Sequence, residues 1–108
     1  MALSMIQFSY TPQVVKKLIA NPEDRSAAVK KLIEKLGGKL ISFYYSFGDY
    51  DGIVIAEMPD NIASLTTAIA AYSEGNLSSL KTTVLISVED AMKAMKKAST
   101  VKLEQPKG

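Results

Sequence analysis

Five side chains of this 108-residue chain combine a reactive group with a position where chemistry could use it: Glu57, Tyr44, Ser42, Tyr50 and Asp51. Glu57 is the one carboxylate in an otherwise apolar run, Gly52-Ile53-Val54-Ile55-Ala56-Glu57-Met58. Burial in such a run would raise its pKa towards neutrality, where a carboxyl can trade protons with a substrate. An edge glutamate in water is the plainer reading. Tyr44 and Ser42, two residues apart, share one face of any strand that holds them. Tyr50 and Asp51 end the run Gly48-Asp49-Tyr50-Asp51, where they could set a phenol and a carboxylate at a pocket mouth. The plainer reading makes Asp51 an acceptor for backbone amides of the turn and Tyr50 a packed aromatic lid. Asp49 and Asp51 fall far short of the six or more oxygens that calcium takes.

The missing residue types narrow the chemistry further. There is no histidine and no cysteine. The usual base at neutral pH is therefore absent, as are the commonest transition-metal ligand and any thiolate. A Ser-His-Asp site, a Cys-His site and a thiolate or imidazole zinc site are impossible within this chain. No phosphate loop is present either, because Gly37-Gly38-Lys39 lacks the upstream glycine and the Ser/Thr. The expectation is a protein with no cofactor and no metal.

Net charge is +2, and Arg25 is the only arginine among thirteen basic residues. Nucleic-acid readers lean on arginine for bidentate contacts, so the lysines read as solubilising surface and no specific nucleic-acid partner is expected. No stretch approaches 18 uncharged apolar residues, which predicts no membrane span. Met1 to Ile6 has no basic start and no long apolar run; a cytoplasmic location is the default.

These residues must be positioned by a small α+β domain. Leu3–Tyr10 alternates as a strand, with Ile6, Phe8 and Tyr10 on one side. Thr11-Pro12 opens a helix that Asn21-Pro22 interrupts, and Asn21 can cap the restart. Val29, Leu32, Ile33 and Leu36 form the second helical stripe, closed by Gly37-Gly38. Lys39–Phe47 and Ile53–Met58 read as a hairpin around the Gly48–Asp51 turn. Pro59-Asp60-Asn61 starts a helix with Ile62, Leu65, Ile69 and Tyr72 as its inward stripe, and Gly75-Asn76 stops it. Thr82–Val88 is the last strand and Glu89–Lys97 an extra short helix. Residues 1–97 form one domain, and 98–108 a polar, mobile tail.

The element order is β-α-β-β-α-β, which leaves one face of an antiparallel sheet without helices. A four-residue loop pairs Phe47 with Gly52, Tyr45 with Val54, Phe43 with Ala56 and Ile41 with Met58, all turned to the helices. The open face then carries Met5, Gln7, Ser9, Ser42, Tyr44, Ser46, Ile53, Ile55, Glu57, Thr83, Leu85 and Ser87. That set is too apolar for water and too polar for a sealed core. It predicts packing on the same face of another copy, as a homodimer or higher oligomer, or a pocket with a few placed polar groups.

The run from Gly38 to Asp51, with its Gly-x-Tyr-Asp turn after an aromatic strand, resembles the GYD-domain family. Gly37-Gly38, Pro59-Asp60, Gly75-Asn76 and Thr82-Thr83 support the resemblance, which covers about Leu3 to Met95. It implies a ferredoxin-like fold of the dimeric α/β-barrel kind and no particular reaction. Two functions fit. One is an oligomeric module holding a small apolar or aromatic molecule at the sheet face. The other is a cofactor-independent enzyme, monooxygenase- or isomerase-like, with Glu57, Tyr44 and Asp51 as polar groups. The missing histidine and cysteine favour the first.

Overall fold

The computed structural model describes residues 2–107, so Met1 of the expected domain and Gly108 of the expected tail lie outside it. The elements run β1 (Ala2–Tyr10), α1 (Pro12–Ala20), α2 (Ser26–Lys35), β2 (Lys39–Tyr45), β3 (Gly52–Met58), α3 (Asn61–Ser73), β4 (Leu77–Leu85) and α4 (Val88–Ala98). The four strands form one sheet in the order β2-β3-β1-β4, with every neighbouring pair antiparallel. This is the ferredoxin-like arrangement that the element order predicts.

Local chemistry sets the boundaries. Thr11 Oγ1 accepts a hydrogen bond from Val14 N at 3.3 Å, and Pro12 follows at the first helical position, so α1 starts as expected. Asn21 does not cap the restart. Its N–H closes α1 on Lys17 O at 2.9 Å, because Pro22 disfavours helical geometry at the residue before it. Asp24 organises the start of α2 instead, accepting from Ser26 N at 2.9 Å and from the Ser26 hydroxyl. These bonds, the hydroxyl's above all, hold the Asp24 carboxyl below its usual range. Gly37, at φ +81°, gives α2 its left-handed exit, and Gly38 N–H reaches back to Ile33 O at 2.9 Å.

The core sits between the sheet and α2 and α3. Ile6, Phe8, Val54, Ala56 and Met58 alternate inward from β1 and β3 and meet the fully buried Ile33 of α2. The Ser4 hydroxyl, on the same face, donates to the Ser64 hydroxyl of α3 at 3.2 Å, both groups being buried. Both helices therefore cover one face, and the other is left open.

Several expectations are corrected. The loop between β2 and β3 spans Ser46–Asp51, two residues more than expected, because Asp51 N–H is drawn to Phe8 O of β1 at 2.8 Å. Tyr45 consequently pairs with Gly52 and Phe43 with Val54. The slip is two residues, so both keep the helix-side face. Phe47 leaves the strand and lies fully exposed in the loop. A bulge between Leu40 and Ser42 sets Leu40 opposite Ala56 in place of the expected Phe43, and leaves Ile41, expected opposite Met58, without a partner and exposed. Strand β4 begins at Leu77 and ends at Leu85, because Ser87 caps α4 and draws Val88 into it. The inward stripe of α3 is also reversed. The small residues Ser64, Thr67 and Ala68 face the sheet, while Ile62, Leu65, Ile69 and Tyr72 are each more than half exposed. Close approach of α3 to the sheet at the Ser4–Ser64 bond leaves no room for large side chains there.

Candidate functional site

The turn motif is held by β1. Asp51 sits where the hairpin loop meets the end of β1, and its Oδ2 accepts from Tyr10 N at 2.8 Å. Its own N–H donates to Phe8 O, and its carbonyl accepts from Ser46 N at 2.8 Å. Ser46 Oγ donates to Tyr50 O at 2.8 Å, and Ser9 Oγ donates to Asp49 O at 3.3 Å. Gly48 takes φ +125°, a left-handed value that turns the tip of the loop. Asp51 is thus a backbone acceptor, as the plainer reading has it, but the amide belongs to β1 and not to the turn. The register between β1 and β4 shifts at Ser9/Tyr10, so the ladder alone does not govern that amide.

Ser42 and Tyr44 face the open side of the sheet, opposite Ile55 and Ile53 of β3, and Glu57 lies on the same side opposite Lys39. Their centre is apolar: Met5 pairs with Ile55, and Leu3 lies between Glu57 and Leu85. Tyr50 is half-buried in the loop, and Asp51 lines a hollow on the helix side. The five candidates therefore do not converge. Ser42, Tyr44 and Glu57 share the open face, while Asp51 belongs to the other.

A largely apolar cavity lies on the helix side. It has a volume of about 350 Å³, between the sheet, α2 and α3. Ile6, Phe8, Val54 and Leu80 form its floor, and Val29 and Leu32 of α2 and Ala70 and Ala71 of α3 form its walls. The polar groups are Tyr10, Arg25, Glu74 and Asn76. A second hollow of about 450 Å³, against α1, shares Tyr10, Arg25 and Asn76 with the first. A third, containing Asp51 and Tyr45, also includes Tyr10.

Tyr10 is therefore the residue at which the hollows meet. Its ring stands edge-on to Phe8 with centroids 5.2 Å apart, continuing a row to Phe43 and Tyr45. Burial pushes the Tyr10 phenol up to about 12, with the Tyr45 phenol and the Asp51 carboxylate adding to the rise and Arg25 opposing it. At physiological pH this phenol is a hydrogen-bond donor and not a base. Arg25 pairs with Glu23 through one guanidinium nitrogen at 2.8 Å, and that pair is exposed. The Tyr45 hydroxyl fixes the surrounding link, donating to Glu23 O at 3.0 Å and accepting from Arg25 N at 3.2 Å.

The signals for this site were faint. Arg25 stands out only as the sole arginine, Tyr10 as the polar end of an apolar strand face, and Glu74 and Asn76 as neighbours of a glycine helix stop. Among the described residues, no three His, Cys, Asp or Glu side chains gather as a metal would require. No described helix is long and apolar enough to cross a membrane.

The GYD domain model matches residues 5–95. The chain belongs to the GYD-domain family. Its Gly48-to-Asp51 turn is the motif whose Asp51 ties the hairpin to β1. No match is found among the curated proteins. Among solved structures, the GYD chain is similar to TTHA0845 from Thermus thermophilus, with TM-score 0.51 and 14% identity over 82% of this chain and 96% of that one. It is also similar to FFRP-DM1, with TM-score 0.47 and 21% identity over 80% and 100%. A hypothetical protein, PHS023 from Pyrococcus horikoshii, gives TM-score 0.47 and 20% identity over 81% and 92%. The first of these supports the ferredoxin-like fold and nothing beyond it.

Proposed function

We propose that this GYD-domain protein is an oligomeric binding module that holds a small apolar or aromatic molecule. The carrying observation is the cavity of about 350 Å³, within the usual range for ligand sites, with an apolar floor and a polar end at Tyr10 and Arg25. A phenol that stays protonated and a guanidinium are both donors, so the fitting ligand carries a carbonyl or carboxylate at one end of an apolar body. The ligand site moves from the open sheet face to the helix side, because there the polar groups converge over an apolar floor.

The open face keeps the role of contact between copies. Leu3, Met5, Ile53, Ile55 and Leu85 are only half-covered within one chain, and an apolar patch of that kind on a small domain calls for a partner. Ser42, Tyr44 and Glu57 become the polar rim of this contact. The enzymatic alternative loses its constellation, because Tyr44 and Glu57 lie on the open face and Asp51 on the helix side.

The test is an NMR titration with 2-naphthoate, a flat apolar carboxylate. Amide shifts are expected at Ile6, Val54 and Leu80, and they vanish in Leu32→Trp, which fills the cavity. Shifts confined to Met5, Ile53 and Ile55 would return the ligand to the open face and overturn this assignment.

A further inference from the structure

We infer that α4 of one copy docks along the outer face of α3 of a second copy, so that two chains exchange these helices reciprocally. The inference begins with α3, which carries no charged residue between Asn61 and Ser73. Its sheet side buries Ser64, Thr67 and Ala68, yet its outer side holds Ile62, Leu65, Ile69 and Tyr72 at positions i, i+3, i+7 and i+10. Ile62 is 77% exposed and Leu65 60%. A helix without charge that buries one face and carries large apolar side chains on the other belongs between two layers. Only one of those layers is supplied by its own chain.

The second layer is offered by α4. Val88, Ala91, Met92 and Met95 form one stripe, and Val88 and Met95 are 78% and 67% exposed. The helix is well specified locally. Ser87 Oγ accepts from Asp90 N at 3.1 Å, Glu89 and Asp90 occupy the first turn and Lys96 and Lys97 the last, and Lys93 pairs with Glu89 at 3.5 Å. An isolated helix of this length is marginal in water, so a capped amphipathic helix with an uncovered stripe calls for a partner. Among the described residues, α4 packs extensively against no other element. The radius of gyration is 17.7 Å where roughly 13 Å is expected for a compact chain of this length, and the long axis reaches 59 Å, dimensions to which α4 and the exposed coil after it both contribute.

The helix cannot lie on its own α3. Only Ile86 and Ser87 link β4 to α4, three Cα steps that span about 10 Å at most. The outer face of α3 stands about a helix diameter above the sheet from which that link departs, so an α4 lying on it would have its axis about 15 Å up, beyond that reach. A second copy meets no such limit. Charge favours the pairing as well: Asp60 and Glu74 bracket α3 with no basic residue between them, and Lys93, Lys96 and Lys97 lie on the later turns of α4. Reciprocity doubles the contact that one such helix pair makes, with the two-fold symmetry most homodimers adopt. The exchange does not use the open face, which lies on the opposite side of the sheet from α3.

The cysteine-free sequence makes the test clean. Chains carrying Leu65→Cys or Ile69→Cys are mixed with chains carrying Met92→Cys or Met95→Cys, oxidised mildly and resolved without reductant. All four positions are exposed, and circular dichroism verifies that each variant is folded. The expected result is a dimer band linking an α3-cysteine chain to an α4-cysteine chain, dominating over either homotypic band and lost on reduction. The same link is expected in an Ile55→Lys background, which separates failure of the sheet contact from failure of the helix exchange. Homotypic bands as strong as the mixed one overturn the inference. So does a chain bearing both cysteines that closes on itself as a monomer, or the absence of any mixed band from all four pairings.

Discussion

Replacing Asp51 by alanine removes the acceptor that Tyr10 N–H finds at 2.8 Å and leaves that amide in a part-buried position without a partner. A hydrogen bond from a backbone amide to a charged acceptor contributes about 1.5–3 kcal/mol, and partial solvent access moves the expectation to the lower half, about 2 kcal/mol. The backbone of residue 51 keeps its bonds to Phe8 O and Ser46 N, so the hairpin stays docked and the loss is confined to one amide. Asp51→Asn retains an oxygen that can accept, without the charge, and is expected to cost about 1 kcal/mol or less. Urea unfolding at fixed protein concentration measures both variants, because the stability of an assembling protein depends on concentration. Native-state hydrogen exchange adds a local readout: the Tyr10 amide loses protection in Asp51→Ala while the core amides of β1 change only with global stability. An Asp51→Ala protein within about 0.5 kcal/mol of the parent, with Tyr10 still protected, would refute the reasoning. Asp51 would then have to be explained by the hollow it lines.

Gly52 is buried beneath Phe8, whose ring occupies the space a Cβ would need; Gly52→Ala is expected to destabilise by about 1–3 kcal/mol, and a neutral result in denaturant melts contradicts the packing described for β1 and β3. The Tyr10 phenol is pushed up to about 12 from 10.0, so the folded state holds that proton more tightly than the unfolded one. This contribution is flat below pH 10 and lowers stability as pH rises from 10 towards 12. Tyr10→Phe is expected to flatten that alkaline slope, and an unchanged slope in melts across the range speaks against the buried donor. The buried Ser4–Ser64 pair predicts a double-mutant cycle in which either alanine alone costs about 1–2 kcal/mol and the pair together less than the sum; strict additivity would show that the two hydroxyls do not depend on each other.

Much of the architecture was legible because the signals were local. The alternation of Ile6, Phe8 and Tyr10, the Thr11-Pro12 start and the Gly37-Gly38 stop each have one dominant physical cause, and each recurs in the structure. The hairpin register was less legible. The length of the loop depends on Asp51 N–H joining Phe8 O, a contact between residues more than forty positions apart that no local pattern encodes. The cavity was illegible for a related reason. Tyr10, Arg25, Glu74 and Asn76 come from separate stretches, and each has an ordinary local role. The five residues selected from the sequence were conspicuous by type, and three of them share the open face rather than a pocket.

The reversal of α3 carries the most consequence. A stripe at i, i+3, i+7 and i+10 says that one face of a helix is apolar, and it does not say which apolar surface will cover it. The rule that the largest apolar stripe faces the chain's own core assumes that the chain folds alone. Ser64, Thr67 and Ala68 let α3 approach the sheet closely enough for the Ser4–Ser64 bond, and turning Ile62 or Leu65 inward would break that bond and push the helix away. The sequence therefore satisfies the sheet with small residues and leaves the large ones exposed on the outer side of α3. On this view the mistaken inward stripe and the uncovered stripe of α4 are one observation: two apolar surfaces written into a chain that its own fold leaves apart.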